Sequence, residues 1–141
     1  MAAETDLARM LASLDVERRP GRFAFVTGRW PTLRDAAVAT VEEADGTTMV
    51  VDADLARANG AQVDAEFAWL MLTVWSSLEA VGLTAAVSRT LADAGIACNV
   101  LAGFHHDHLL VPSDLADDAI AALRALSSRP TTSARTETDQ L

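Results

Sequence analysis

The chain lacks most of the features that mark secreted or membrane proteins. Cys98 is its only cysteine, so no disulfide can form within the chain. It contains no run of about 18 apolar residues that could cross a membrane. The N-terminal segment MAAETDLARM carries acidic residues where a signal peptide would carry lysine or arginine. We therefore expect a cytoplasmic protein that does not bind or enter a membrane.

Positive charge is also scarce, with 11 basic against 20 acidic residues and a formal net charge of −9. Phosphate binding needs a concentrated basic surface, so nucleic acid is not an expected partner. Six arginines of the first half are scattered through polar stretches and are typical of a solvated face: Arg18, Arg19, Arg22, Arg29, Arg34 and Arg57.

Motifs for catalysis and cofactor binding are missing as well. The sequence contains no evident nucleophile elbow, P-loop or glycine-rich dinucleotide loop. Its three histidines, His105, His106 and His108, accompany no evident nucleophile. We expect a protein that is not an enzyme, with no catalytic residue, no cofactor and no metal ligand.

What the chain does contain is core material, since half of its residues are hydrophobic. A length of 141 residues fits one compact domain, or two very small halves that share a core. Residues 1–20 are predicted to form an N-terminal helix, with Leu7, Met10 and Leu14 on one stripe and a turn at Pro20 and Gly21. Residues 127–141 have almost no apolar side chains and are predicted to be a disordered tail.

The first half, residues 21–64, is predicted to have the order β-β-β-α. Strands are expected at 22–27, 37–43 and 47–52, with a loop at 28–35. The sequence Asp45-Gly46 between the last two strands is a strong hairpin signal. A short helix over 53–59 is expected to end at Gly60, which can adopt the left-handed conformation of a helix C-terminus.

The second half, residues 65–126, is predicted to have the order β-α-β-β-α, with its first helix ending at Gly95. In the first strand, 67–75, alternate residues form one face with Phe67, Trp69 and Met71 and another with Leu70 and Leu72. Both faces are apolar, so the strand should be central and covered on both sides. If helices cover one face, the aromatic face needs another sheet or a second subunit against it.

Two segments of the second half carry a family resemblance: SSLEAVGLTAAV at 76–87 and NVLAGFHHDHLLVP at 99–112. They resemble the ACT-domain superfamily, and more narrowly the small bacterial stand-alone tandem ACT proteins. The C-terminal module is also similar to the ACT halves of cellular arginine sensors. Two residues depart from the pattern. Trp75 stands where relatives usually have histidine, and Phe104-His105 replaces a pair of tyrosines.

The resemblance implies an α+β, ferredoxin-like (βαββαβ) ACT sandwich of two tandem ACT-like modules, the first of them reduced. It also implies a regulatory module that senses an amino acid or similar small molecule at an inter-module or subunit interface. Partners would be a second copy in a homodimer or higher homo-oligomer and possibly an enzyme that the module regulates.

The expected ligand site lies where the segment before the second-half helix meets the turn between the next two strands. Ser76 and Glu79 form the Ser-x-x-Glu pattern of a capping box, which would place free amides at a helix N-terminus. The candidate ligand-binding residues are Ser76, Ser77, Leu78, Glu79, Gly82, Asn99, Phe104, His105, His106 and Asp107. Ser76 and Glu79 have a purely structural alternative as helix caps, and the aromatic residues have one in core or interface packing.

Two alternative interpretations remain for this segment. His106 and His108, two residues apart in a predicted strand, would point the same way and could bind a divalent metal with ligands from another subunit. The chain could also be a protein-interaction or oligomerisation module that binds no ligand.

Overall fold

The computed structural model describes residues 3–128, and residues 129–141 of the predicted tail lie outside this range. The first part of the chain contains α1 (Leu7–Ala12), β1 (Val16–Thr27), α2 (Pro31–Ala36), β2 (Ala39–Glu43), β3 (Gly46–Asp52) and α3 (Ala53–Ala58). The second part contains β4 (Phe67–Leu72), α4 (Leu83–Asp93), β5 (Asn99–Ala102), β6 (Asp107–Pro112) and α5 (Ala116–Ser128). A single 3₁₀ turn, Ser113–Leu115, leads into α5.

The six strands form one antiparallel sheet in the order β2-β3-β1-β4-β6-β5. Strand β4 follows α3 and pairs with β1, so it completes a βαββαβ unit that begins at β1. The same strand begins the second unit, whose strands lie in the order β4-β6-β5. On the side away from β6, β4 pairs with Val16–Arg19 of β1. The N-terminal part of β1 therefore serves as the fourth strand of the second unit, as β4 serves as the fourth strand of the first.

All five helices cover one face of this sheet. The larger core cluster packs α1, α4 and α5 on the strands of the second unit and contains Met10, Leu70, Val87 and Leu123. A smaller cluster packs α2 and α3 on β1 and β3 around Leu33. The two faces predicted for the β4 segment are confirmed, because its helix-facing residues are all in the larger cluster: Ala68, Leu70, Leu72 and Val74.

The opposite, open face of the sheet is apolar and aromatic. Phe23 and Trp69 meet edge to face with ring centroids 5.5 Å apart, and the Arg19 guanidinium lies 5.1 Å from the centre of the Trp69 ring. Among residues 3–128, no helix and no second sheet covers this face. The centre of the face is nevertheless buried by side chains of the sheet itself, because Phe23, Val50, Trp69 and Leu110 form a third core cluster in which each is at most 5% exposed. The second sheet or subunit predicted against this face is therefore not needed to bury them.

Two local predictions in the first half are wrong. The predicted loop at 28–35 contains helix α2, which begins at Pro31 and buries Leu33, so the first module keeps its first helix in a short form. Proline suits the first helical position because its missing N–H would have no partner there. The predicted turn at Pro20 and Gly21 is a bulge inside β1, where the register against β4 shifts between Arg19 and Phe23.

The predicted helix ends at Gly60 and Gly95 are confirmed, and both glycines have positive φ. The β2–β3 hairpin is also confirmed, with Glu43 paired to Gly46. No helix in the described range is long and apolar enough to span a membrane.

Candidate functional site

Two loops of the second unit meet at one end of the sheet: the segment 73–82 between β4 and α4, and the β5–β6 turn. The Ser76 backbone N–H donates to the His105 carbonyl at 2.9 Å, and the Ser76 hydroxyl donates to the same oxygen at 3.4 Å. Ser76 is one of two buried polar residues in the described chain. These bonds hold the two loops in contact, as expected from the sequence.

Glu4, which no sequence pattern indicated, holds the first of these loops in place. Its backbone N–H donates to the Trp75 carbonyl at 2.8 Å, and its carbonyl accepts from the Ser77 N–H at 3.1 Å. The N-terminal segment thus forms a one-residue parallel bridge beside Ser76. No local sequence signal indicates such a contact across about 70 residues.

A small pocket of about 120 Å³ opens between the two loops and the start of α4. We call it the Asp107 pocket. It brings together four of the candidate ligand residues, Ser76, Ser77, Leu78 and Asp107. The other lining residues are Ala80, Leu83, Thr84, Ala102 and Gly103.

The predicted capping box does not form. Helix α4 begins at Leu83, after Gly82 in a left-handed conformation with φ 101°, and no side chain caps it. The Ser77 hydroxyl instead accepts from the Glu79 backbone N–H at 3.1 Å, within a turn of its own. Gly82 lies under Leu7, whose Cδ2 would be 2.9 Å from an added Cβ, so a packing contact with α1 accounts for this glycine.

Asp107 and His108 point to opposite faces of the sheet. Partial burial raises the pKa of the Asp107 carboxyl, and the neighbouring His108 opposes this rise. Burial lowers the pKa of His108, and the charges of His106 and Arg19 lower it further. His108 Nδ1 accepts a hydrogen bond from Trp69 Nε1 at 3.0 Å, a contact that requires an unprotonated Nδ1.

Aromatic side chains cluster outside the pocket. Trp75 stacks on His105 with centroids 3.7 Å apart, and His106 meets the same indole edge-on. Phe104 meets His105 edge to face. The buried His105 Nδ1 has no hydrogen-bond partner within the described residues. Two residues that departed from the family pattern, Trp75 and His105, are therefore in contact with each other.

Asn99 lies apart from this site. It pairs with Leu110 across the β5–β6 ladder, which places it on the open face. There it lines a separate cavity of about 350 Å³ that also includes Phe25 and Phe67.

The metal interpretation finds no arrangement to support it in residues 3–128, where no three His, Cys, Asp or Glu side chains are grouped to hold an ion. His106 precedes β6, which begins at Asp107, so the predicted strand alternation does not extend to it. The two histidines contact different partners, His106 with Trp75 and His108 with Trp69.

Comparison with known families places both halves of the chain. Models described as ACT domain match residues 2–68 and residues 64–125. The chain belongs to the ACT-domain family. The two matches overlap just before and at the start of β4, the strand that the two ACT units share. ACT domains are regulatory, non-catalytic modules, which supports a ligand-binding regulatory role for the chain in general terms.

Solved structures resemble the chain over most of its length. A Vibrio cholerae protein of unknown function, described as a possible transport protein, is 38% identical, with a TM-score of 0.76 over 86% of this chain and 95% of its own. An Agrobacterium tumefaciens protein is 18% identical, with a TM-score of 0.58 over 81% and 89% of the two chains. The regulatory subunit of aspartate kinase from Thermus thermophilus is 11% identical, with a TM-score of 0.58 over 79% and 95%. No functionally curated protein matches the chain.

Proposed function

We propose that this tandem ACT protein senses an amino acid or a related amine-bearing metabolite, whose ammonium group binds in the Asp107 pocket at a subunit interface. The observation that carries the proposal is the state of Asp107. Its carboxylate lines the pocket, is partly buried, and forms no ion pair within the described residues. A partly buried carboxylate without a cation is stabilised by a ligand that supplies one.

The remaining polar groups of the pocket suit the same ligand group. The hydroxyls of Ser76, Ser77 and Thr84 lie with Asp107 around the pocket, and no lysine, arginine or histidine side chain lines it. Hydroxyl oxygens and a carboxylate accept hydrogen bonds, and an ammonium group has three N–H donors to offer. The pocket therefore favours an ammonium over a carboxylate.

The size of the pocket indicates that another surface completes the site. Small-molecule sites usually enclose roughly 300–1,000 Å³, whereas this pocket has about 120 Å³. It can hold the ammonium end of an amino acid while the rest of the ligand lies outside. Something must cover that remainder if the ligand is to be bound tightly.

Exposed apolar side chains surround the pocket on the same two loops. Their exposed fractions are 42% for Trp75, 65% for Leu78, 82% for Val81 and 73% for Phe104. Apolar side chains grouped in this way mark interaction surfaces. A second copy of the chain placed on these loops would cover both the apolar side chains and the bound ligand.

Regulation then follows from linkage. A ligand held between two subunits binds better to the arrangement in which both subunits contact it than to the arrangement in which only one does. It shifts the equilibrium between these two arrangements by that difference in affinity. A partner enzyme that recognises one arrangement would read the ligand concentration. An interaction module without a ligand is the second candidate, and the same exposed loops favour it.

Thermal unfolding of the protein against each of the twenty amino acids tests the proposal. A ligand at 100 times its Kd adds about 2.7 kcal/mol to the free energy of unfolding. We expect selective stabilisation that is lost in Asp107→Asn and retained in Asp118→Asn, a control on the exposed surface of α5. No stabilisation by any amino acid at millimolar concentration would reject amino-acid sensing.

Self-association and stabilisation by amino acids together separate the two candidates. Val81→Ser should weaken self-association without unfolding the subunit, because the side chain is 82% exposed. If self-association is lost and no amino acid stabilises the unsubstituted protein, the interaction module is the better description.

A further inference from the structure

The first module contains a cavity of its own at the position that corresponds to the Asp107 pocket. In each unit the pocket lies between the loop after the first strand and the hairpin of the next two strands. Here these are the end of β1 with α2, and the β2–β3 hairpin. We call it the Arg29 cavity. Its volume is about 500 Å³, which lies within the range of small-molecule sites.

The inner wall of the Arg29 cavity is apolar. Met49 is 1% exposed and Trp30 is half-buried, and both line the cavity with Pro31. The Trp30 indole is oriented by a hydrogen bond from its Nε1 to the Thr27 carbonyl at 3.2 Å. The cavity therefore offers a preformed surface for the apolar part of a ligand.

A network of three side chains holds one cation at the edge of the cavity. Arg34 Nη2 contacts Glu42 Oε1 at 2.6 Å, and Arg34 Nη1 donates to the Thr47 hydroxyl at 3.3 Å. Thr47 in turn donates to Glu42 Oε2 at 2.9 Å and is buried. Because Glu42 already balances its charge, Arg34 is a positioned hydrogen-bond donor more than a free cation.

Arg29 is the free cation of the cavity. It forms no ion pair with any residue in the range 3–128, although it lines the same space as Asp45. Arginine presents a planar set of donors that matches a carboxylate. Asp45 also forms no ion pair in that range and lines the hairpin side of the cavity.

We propose that the Arg29 cavity is a second binding site, which takes a small organic carboxylate with an apolar body. The carboxylate binds Arg29, next to the donor group of Arg34, and the apolar part lies against Trp30 and Pro31, above the buried Met49. The Asp45 carboxylate binds the ammonium group of a ligand that also carries one, and repels a ligand that is a simple carboxylate. This site is independent of the Asp107 pocket, which has no cationic side chain in its lining and favours an ammonium group.

Three probes of one carbon skeleton test the proposal: valine, 3-methylbutanoate and 2-methylpropylamine, which are the zwitterion, the acid without the amine and the amine without the acid. Binding is followed in ¹H–¹⁵N spectra of the whole protein through the Trp30 indole N–H and the backbone amides of Gly46 and Thr47. We expect 3-methylbutanoate to shift these signals and 2-methylpropylamine to leave them in place. Equal shifts with the amine, or none with either carboxylate at millimolar concentration, would overturn the proposal.

Matched variants assign the effect to the cavity. Arg29→Gln should weaken 3-methylbutanoate binding by about ten-fold or more, since hydrogen bonds to charged groups are the strong ones. Arg29→Lys should keep part of the binding, and Arg89→Gln on α4 should change nothing. Unchanged binding in Arg29→Gln would refute the site.

Asp45→Asn then separates amine-bearing from amine-free ligands. Weaker valine binding with unchanged 3-methylbutanoate binding identifies an amino acid as the ligand class. Tighter binding of both probes identifies a simple carboxylate, because a repelling charge has been removed. Asp107→Asn should leave all these signals unaffected, so failure of this site and failure of the proposed function are distinguishable.

Discussion

The N-terminal helix is distant in sequence from the second ACT unit, yet the structure makes it part of that unit's core. Met10 of α1 is fully buried in the cluster that contains Leu70, Val87 and Leu123. Asp6 caps the helix by accepting from the Arg9 N–H at 2.9 Å. We predict that Met10→Ala destabilises the whole protein through the core of the second unit.

The expected size of the effect follows from burial. Replacing a fully buried methionine by alanine costs about 2–5 kcal/mol, because apolar contact is lost and a cavity is left. A domain of this size has a total stability of about 5–15 kcal/mol. The melting temperature should fall by roughly 5–15 °C. Arg9→Ala, on the exposed side of the same helix, should change the free energy of unfolding by no more than about 0.5 kcal/mol.

Urea unfolding followed by circular dichroism measures the free energy for both variants. A fragment of residues 65–128 is the stronger form of the test, since it lacks Met10, Leu14 and Val16, which are all buried in the same cluster. We expect this fragment not to unfold cooperatively. A cooperative transition in the fragment, or equal stabilities of Met10→Ala and Arg9→Ala, would show that the second unit folds without α1.

Three further predictions concern single groups. Gly103→Ala should destabilise the β5–β6 turn by about 1–3 kcal/mol, measured by urea unfolding, because its Cβ would lie 2.7 Å from the His106 carbonyl oxygen. The pKa of His108 is lowered in the folded state, so the free energy of unfolding should fall as the pH drops below about 6.5, and His108→Gln should flatten that dependence. Burial raises the pKa of Cys98, so its alkylation by iodoacetamide at pH 8 should be slow until urea unfolds the chain.

The sequence predicted the regular elements well where local chemistry decides them. Helix ends at Gly60 and Gly95 depend on positive φ, which glycine adopts without a steric penalty. The alternation along β4 revealed two apolar faces, because side chains on a strand point alternately to opposite sides. In these places a few neighbouring residues contain all the relevant information.

The errors lie where a distant contact overrides a local pattern. Ser76 and Glu79 have the spacing of a capping box, but Ser76 is bonded to His105, and the helix begins only after Gly82. Pro20 and Gly21 are a turn signal, but pairing with β3 and β4 carries the chain through them as a bulged strand. Helix α2 was missed because Leu33 is its single buried residue, so no apolar pattern of helical period marks it.

The candidate site shows the same division. Sequence motifs indicated the two loops, and four of the ten candidate residues line the pocket between them. The contribution of Glu4 was not predictable, because its bonds to the 75–77 segment are backbone bonds that any residue can form. The Arg29 cavity was missed because Arg29 and Asp45 belong to separate loops that only the folded sheet brings together.

By itself, the sequence determined the kind and order of the elements other than α2 and the apolar faces that they bury, because these depend on residue types at short spacing. Apart from the β2–β3 hairpin, the tertiary structure alone decided which strands are neighbours. It placed Val16–Arg19 of the first unit beside β4 of the second and joined two small units in one six-stranded sheet. Strand pairing depends on backbone hydrogen bonds between segments far apart in the chain, and those bonds leave little trace in either segment's composition.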